Sequence, residues 1–208
     1  MTLIVLVGFI SLDFPFLIIP FSPFIQAILT LDEVVTVVTH EEAPPMVKAA
    51  YMNFLNNCFF ETEAEVKEIH HSIHIWRLFE AHLLDMQRFC SPEYDLGMDS
   101  FNSYVGDTLM LSMRLFFSQY NTNPGLVLPD NRKNTVVSLL EAACDVGGRL
   151  QTKAIPCGGV IATVRTLLTL ATDRSFGVRT DLASRAEDLL VERTISAGEC
   201  YVLEASCS

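Results

Sequence analysis

Residues 72–90 read SIHIWRLFEAHLLDMQRFC, and this stretch decides the predicted fold. Its apolar side chains recur at intervals of three and four residues, which is the period of an amphipathic α-helix. Ser72 is a residue type that commonly caps the first turn of a helix. We therefore predict a helix from Ser72 to Cys90. The side chains expected on its inner face are Ile73, Trp76, Phe79, Leu83 and Met86.

The same period continues along the rest of the chain, interrupted by clusters of Pro, Gly, Asn and Asp. On the N-terminal side we predict helices over Phe24–Val38, from Pro44-Pro45 through Leu55, and from the capping pattern Thr62–Glu65 through Ile69, with a turn around Cys58. The second of these is expected to bury Val47, Ala50, Tyr51, Phe54 and Leu55. On the C-terminal side we predict helices over Asp99–Phe117, Asn131–Val146, Cys157–Thr172 and Asp181–Val191, with Gly147-Gly148 as a helix end. Paired helices without strands predict an all-α fold, an α-solenoid of antiparallel helix pairs.

The composition of the 208 residues excludes some classes of function. The formal net charge of −11 opposes binding to the phosphate backbone of nucleic acids. Charged residues make up only 19% of the chain, below the roughly 25% usual for globular domains, which predicts contacts with neighbouring protein. Six widely spaced cysteines, without a C-x-x-C pair, indicate reduced and mostly buried thiols rather than a zinc site or a disulfide framework: Cys58, Cys90, Cys144, Cys157, Cys200 and Cys207.

The N-terminal residues form an apolar leader. Leu3–Leu29 contain a single charged group, Asp13, and the first basic residue of the chain is Lys48, so the basic start of a secretory signal is missing. A membrane-spanning helix needs about 20 apolar residues, whereas three prolines interrupt this stretch. We therefore expect a leader without a fold of its own, with membrane association through it as the alternative.

A long ordered series of motifs lies between Val34 and Cys90. The motifs are Thr39-His40-Glu41, VKAAYMNFLNNC at residues 47–58, Thr62-Glu63, VKEI at 66–69, HIWRLFE at 74–80 and DMQR at 85–88. In this order they resemble the start of the second helical homology domain of inositol 1,4,5-trisphosphate receptors, a domain type shared with ryanodine receptors. Weaker matches extend the resemblance to about Ala183, at Phe116-Phe117-Ser118, Leu139-Leu140, Val164–Leu167 and Asp181-Leu182.

The resemblance implies an armadillo-like helical domain over residues 34–183, with residues 1–33 as the leader and residues 184–208 as a divergent tail. It further implies a piece of the cytosolic regulatory arm of a tetrameric calcium-release channel of the endoplasmic reticulum. Such an arm transmits conformational change and contacts neighbouring helical domains and protein regulators. In the family, other regions bind inositol trisphosphate and form the pore, so the resemblance predicts neither activity for this chain.

Three histidines suggest an alternative function. His70 and His74 are four residues apart, and His71 and His74 three apart, so one helix face could present either pair to a metal ion. A metal-dependent helical hydrolase using His70, His71 and His74 is therefore the alternative. The sequence fixes no third ligand, and the candidates are Glu41, Glu42 and His82. Without a metal, we expect His70 and His71 to face water and His74 to cap the helix or to pack beside Trp76.

Other motifs of chemistry are weaker. The acidic run Glu61, Glu63, Glu65 and Glu68 lacks the spacing and central glycine of a calcium loop, and favours a negatively charged first helical turn. Glycines occur as isolated pairs rather than as a phosphate-binding loop, and no G-x-S-x-G elbow marks a nucleophile. We therefore assign no catalytic, cofactor-binding or metal-binding residue and expect no enzyme.

Overall fold

The computed structural model describes residues 29–60, 66–94 and 99–191. Every regular element in these ranges is helical and none is a strand, so the predicted all-α class is confirmed. The helices are α1 (Leu31–Val38), α2 (Pro45–Leu55), α3 (Val66–His71), α4 (Ile73–Cys90), α5 (Asp99–Ser103), α6 (Met110–Thr122), α7 (Lys133–Thr152), α8 (Gly158–Asp173) and α9 (residues 180–191). One π-helical turn, Asn56–Phe60, follows α2, and a second, Tyr104–Leu109, joins α5 to α6. A 3₁₀ turn, Asp130–Arg132, precedes α7.

Helix α1 begins later than predicted. Its N-cap is Thr30, whose backbone N–H and hydroxyl both donate to the Glu33 carboxylate at 2.9 and 2.8 Å, while Glu33 N–H donates back to the Thr30 hydroxyl at 3.4 Å. This reciprocal capping box satisfies backbone donors that a helix start leaves open. The predicted helix Phe24–Val38 was therefore wrong at Leu29 and Thr30, which precede α1. Its predicted residues 24–28 lie outside the described residues.

Helix α2 begins and ends where the sequence predicts, with Pro45 in its first turn. It buries Tyr51, Phe54 and Leu55 as expected, whereas Val47 and Ala50 are only half-buried. The turn expected around Cys58 is instead a π-helical continuation, Asn56–Phe60, that keeps Cys58 and Phe60 in the core. The capping pattern proposed for α3, Thr62–Glu65, lies outside the described residues.

Helix α4 spans the predicted range and lies at the centre of an aromatic cluster. Trp76 is only 3% exposed, and its ring centroid lies 5.9 Å from that of Phe116 and 6.2 Å from that of Phe117 in α6. Phe79 lies 4.8 and 4.9 Å from the same two rings. The inner-face prediction is confirmed for Trp76, Phe79 and Met86.

The prediction was wrong for Ile73, which is 70% exposed, and Leu83 is only half-buried. Ile73 is the first residue of α4, one position after the N-cap Ser72. Ser72 has the extended backbone of an N-cap, but within the described residues its side chain makes no capping hydrogen bond.

Helix α7 runs through the glycine pair that was expected to end it. The helix continues to Thr152, and Gly147 is buried within it. A Cβ atom on Gly147 would lie 3.1 Å from a methyl group of Leu189 and 3.4 Å from one of Val160. Gly147 therefore allows α8 and α9 to pack closely on α7. This role depends on tertiary contacts, which local helix propensity does not describe.

The helices pack around one hydrophobic core. Helix α7 contacts α4 and α8, α8 contacts α6, and α1 contacts both α2 and α4. The last helix belongs to the same core, because it contributes the buried side chains Leu182, Ala186 and Leu189. The boundary drawn from the family resemblance at residue 183 therefore falls inside α9.

Among the described residues, no helix combines the length and the apolar character needed to cross a membrane. Of the leader, residues 1–33, the structure describes residues 29–33: Leu29 is buried, and residues 31–33 form the first turn of α1. The tail from residue 192 onward lies outside the described residues.

Replacing Trp76 tests the role of the aromatic cluster. Trp76→Ala should lower the free energy of unfolding by about 3–5 kcal/mol, because it removes a buried indole and leaves a cavity. The matched control is Arg77→Ala at the adjacent exposed position, which should change stability by less than about 0.5 kcal/mol. Urea denaturation measures both, and near-native stability of Trp76→Ala would contradict its role in the core.

Candidate functional site

The three histidines of the metal hypothesis lie in three different surroundings. His70 was expected to face water, but it is only 2% exposed and its ring lies 4.2 Å from the ring of Phe116 and 4.7 Å from that of Tyr120. His71 is exposed. His74 is half-buried and pairs with Asp32 of α1, with 2.9 Å between Nδ1 and Oδ1. The expected exposure was thus right for His71 and wrong for His70.

His70 is held as a neutral aromatic ring. Burial, together with the nearby His71, lowers the pKa of His70 to about 4. Its carbonyl oxygen accepts a hydrogen bond from Trp76 Nε1 at 3.3 Å, while its Nδ1 is buried with no partner among the described residues. His70 therefore contributes packing between α3 and α6.

Within residues 29–60, 66–94 and 99–191, no group of three or more His, Cys, Asp and Glu side chains is placed to hold a metal ion. Most of the acidic run of the sequence analysis, Glu61, Glu63 and Glu65, lies outside these residues, and the side chain of Glu68 is likewise not described.

The most developed polar constellation is one that the sequence analysis missed. Lys48 of α2 donates from Nζ to both carboxylate oxygens of Asp85 in α4, at 3.2 and 3.0 Å. The Tyr104 hydroxyl donates to the same carboxylate at 3.0 Å. The Lys48 ammonium also lies 5.9 Å from the centre of the Tyr104 ring. Asp85 thus joins α2, α4 and the π turn Tyr104–Leu109.

A second buried pair lies one turn away on α4. The Ser112 hydroxyl donates to the carbonyl oxygen of Leu109 at 2.7 Å and lies 3.3 Å from His82 Nε2. Because a hydroxyl has one proton to donate, Ser112 accepts from an Nε2–H of His82. Burial, with Lys48 as a further cause, lowers the pKa of His82 to about 3, so the ring is neutral at physiological pH.

We call Lys48, His82, Asp85, Tyr104 and Ser112 the Asp85 network. Each of the five is at most 8% exposed. Burial and the Asp85 charge also raise the pKa of Tyr104, which keeps its hydroxyl protonated as a donor. A serine beside a histidine is common in hydrolases, but here the serine proton is already donated and the site is closed to substrate. The arrangement therefore fits a structural junction and not a catalytic centre.

An open cleft of about 750 Å³ lies between the end of α4, α7 and α9. Both of its arginines are engaged: Arg149 donates to the backbone carbonyls of Ser91 and Tyr94 at 2.6 and 2.5 Å, and Arg185 pairs with Asp145. Arg149 thereby ties the segment Ser91–Tyr94, which follows α4, to α7. The cleft is held together by these bonds.

Three of the four cysteines in the described residues lack the properties of reactive thiols. Burial raises the pKa values of Cys58, Cys90 and Cys144 to about 11. Thiols with such pKa values are protonated at neutral pH, whereas nucleophilic and metal-ligating cysteines act as thiolates.

A comparison with protein-family models returns no match for the chain.

Replacing Lys48 tests the Asp85 network. Lys48→Met should lower the free energy of unfolding by about 3–5 kcal/mol, because it leaves the Asp85 carboxylate buried without a countercharge. The double variant Lys48→Met/Asp85→Leu should lose less than the sum of the two single variants, since it removes both charges. Urea denaturation of the four proteins gives the coupling energy. A loss below about 1 kcal/mol for Lys48→Met would mean that the pair is solvated.

The depressed pKa of His70 predicts a pH-dependent stability. Between pH 6.5 and about 4 the unfolded state binds a proton that the folded state excludes, so stability falls as the pH is lowered through this window. From pH 7 to 5 this costs about 2 kcal/mol for His70. His70→Phe keeps an aromatic ring, and its free energy of unfolding should fall by about 2 kcal/mol less than that of the wild type between pH 7 and 5. Denaturation at each pH measures this difference. His40→Phe, at an exposed position between α1 and α2, should keep the wild-type dependence, and equal slopes in all three proteins would refute the assignment.

Proposed function

We propose that this chain is a piece of the cytosolic regulatory arm of an inositol trisphosphate-gated calcium-release channel, which transmits conformational change between helical domains. The observation that carries the proposal is the position, in the buried core, of the motifs that resemble the receptor family. The stretch at residues 47–58 and the stretch at residues 85–88 supply the two ends of the buried Lys48–Asp85 pair. The stretch at residues 74–80 between them supplies Trp76 and Phe79 of the aromatic cluster. The resemblance is thus carried by residues that hold the fold together.

The finer architecture is part of the proposal. We infer an armadillo-like α-solenoid of antiparallel helix pairs, in which each pair packs on the next. Contacts between the consecutive helices α1 and α2, and between α7 and α8, support this arrangement. In a stack of this kind a small rotation of one pair displaces its neighbours, which suits a relay.

A surface for a neighbouring domain is present on the outer side of α4. Ile73 and Leu84 are 70% and 64% exposed. They are eleven residues apart, which places them within about 20° of each other around the helix axis. Arg77 and Glu80 lie between them on the same exposed face. Apolar side chains flanking charges suit contact with another helical domain of the tetrameric receptor, or with a protein regulator, on the cytosolic face of the endoplasmic reticulum.

The proposal excludes two activities for the chain by itself. The isolated chain should neither conduct calcium nor bind inositol trisphosphate, because the family uses other regions for both.

A chimeric receptor tests the proposed function. Residues 34–183 should replace the corresponding helical segment of an inositol trisphosphate receptor, in cells lacking their own receptors, with retention of agonist-evoked calcium release. Trp76→Ala in the chimera should abolish release by unfolding the segment, whereas Ile73→Ser/Leu84→Ser should impair release with the fold intact.

Two results would overturn the proposal. One is a chimera that assembles at normal levels but releases no calcium. The other is saturable inositol trisphosphate binding by the isolated chain at micromolar or tighter affinity, measured by calorimetry. Binding that strong corresponds to about 8 kcal/mol or more, which requires a dedicated pocket.

A further inference from the structure

The π turn Tyr104–Leu109 interrupts an otherwise α-helical run from Asp99 to Thr122. Five of its six residues are buried, and Asp107 is the exposed one. A π turn pairs each N–H with the carbonyl five residues earlier, so it holds one residue more than an α-turn. Such turns are rare and occur often at functional sites.

The extra residue brings two side chains onto one face. Tyr104 bonds to Asp85 and Ser112 lies beside His82, and both partners are on α4, three residues apart and therefore on the same side of that helix. Tyr104 and Ser112 are eight residues apart, which in a continuous α-helix would put them about 80° out of phase. When the π turn absorbs one residue, the spacing acts like seven residues, within about 20° of two full turns. Both contacts with α4 therefore depend on the π turn.

Helix α8 packs closely against the same segment. A Cβ atom on Gly159 would lie 2.9 Å from the carbonyl oxygen of Gly106, so α8 approaches the π turn at a distance that only glycine allows. The Thr163 hydroxyl lies 2.8 Å from the carbonyl oxygen of Met110, which directly follows the turn. The segment thus touches α2 and α4 on one side, through Asp85, and α8 on the other.

We propose that Tyr104–Leu109 is a register switch. In one state Asp85 holds Tyr104 and the turn is π-helical. In the other state Asp85 releases Tyr104, the turn becomes α-helical, and α5 rotates by about 100° relative to α6, which is one α-helical residue step. Because Asp85 is also bound by Lys48, a displacement of α2 relative to α4 sets the state of the switch, and α8 receives the change.

This inference rests on the proposed relay function for its biological use, whereas the switch itself is measurable in the 208-residue chain alone. Failure of the chimeric receptor would leave the switch standing, and failure of the experiments below would leave the relay without this moving part.

Single-residue deletions test whether the π turn holds one residue more than the contacts with α4 need. Deletion of Asp107 should convert the turn to α-helix with both α4 contacts kept, so the thermal midpoint should stay within about 5 °C of the wild type. Deletion of the exposed Arg114 is the matched control, because it rotates Phe116 and Phe117 by about 100° out of the core and should abolish cooperative unfolding. Equal loss of folding from both deletions would overturn the proposal.

Hydrogen exchange detects the switching itself. Tyr104→Phe in the full chain should accelerate amide exchange of residues 104–109 by about tenfold or more, since the bond that holds the π state is gone. The same substitution in the Asp107-deleted chain should have no such effect, because that turn is already α-helical. Tyr51→Phe, at another buried tyrosine, is the control. Acceleration in both backgrounds would indicate simple loosening, and acceleration in neither would show that Asp85 does not hold the turn; either result contradicts the switch.

Discussion

The structure depends on one buried carboxylate, that of Asp85. A charge removed from water must be compensated, and here Lys48 supplies the opposite charge while Tyr104 supplies a further donor. Lys48 lies 37 residues before Asp85 and Tyr104 lies 19 residues after it, so a single group fixes the positions of three distant segments. Apolar side chains alone would tolerate small shifts of α2 along α4, whereas the Lys48–Asp85 ion pair is sensitive to such shifts.

The aromatic cluster supplies the apolar counterpart on the same helix. Trp76 and Phe79 contact Phe116 and Phe117 of α6. These contacts lie about three turns of α4 before its C-terminal end, where Arg149 binds. Helix α4 is therefore fixed by rings near its start, by the Asp85 network in its middle and by Arg149 at its end. This distribution explains how one helix can order the others around it, and why a relay through this domain would pass along α4.

The sequence predicts the parts of the fold that depend on local order. The bounds of α2, α4 and α8 follow from apolar period and from proline or polar breaks, and Trp76 follows from its place in that period. Ile73 satisfies the same period but precedes the packed turns, so it was wrongly placed inside. The glycine pair of α7 was read as a helix end because propensity describes a helix in water, whereas Leu189 and Val160 approach Gly147 only in the folded protein.

The candidate site could not be predicted in this way. Lys48 and Asp85 each stand in an apolar stretch as ordinary charged residues, and no spacing rule connects positions 37 residues apart. The π turn has no sequence pattern of its own, because it differs from an α-turn only in which carbonyl oxygen accepts the hydrogen bond of each N–H. The histidine spacing drew attention to a metal, although one of the three rings serves as an aromatic packing group. Burial of His70 was beyond reach because Phe116 and Tyr120 approach it from a helix some 46 to 50 residues later in the chain.

The central claim is that the three helices joined by the Asp85 network, α2, α4 and α6, form one cooperative unit. Native-state amide hydrogen exchange of the wild-type chain, followed residue by residue in increasing denaturant, tests it most directly. We expect the amides of residues 76–89 in α4, of α2 around Lys48 and of residues 110–120 in α6 to share the highest protection and to merge into a single opening at the global free energy of unfolding. Opening of α2 or of residues 110–120 at a much lower free energy, while α4 stays protected, would contradict it.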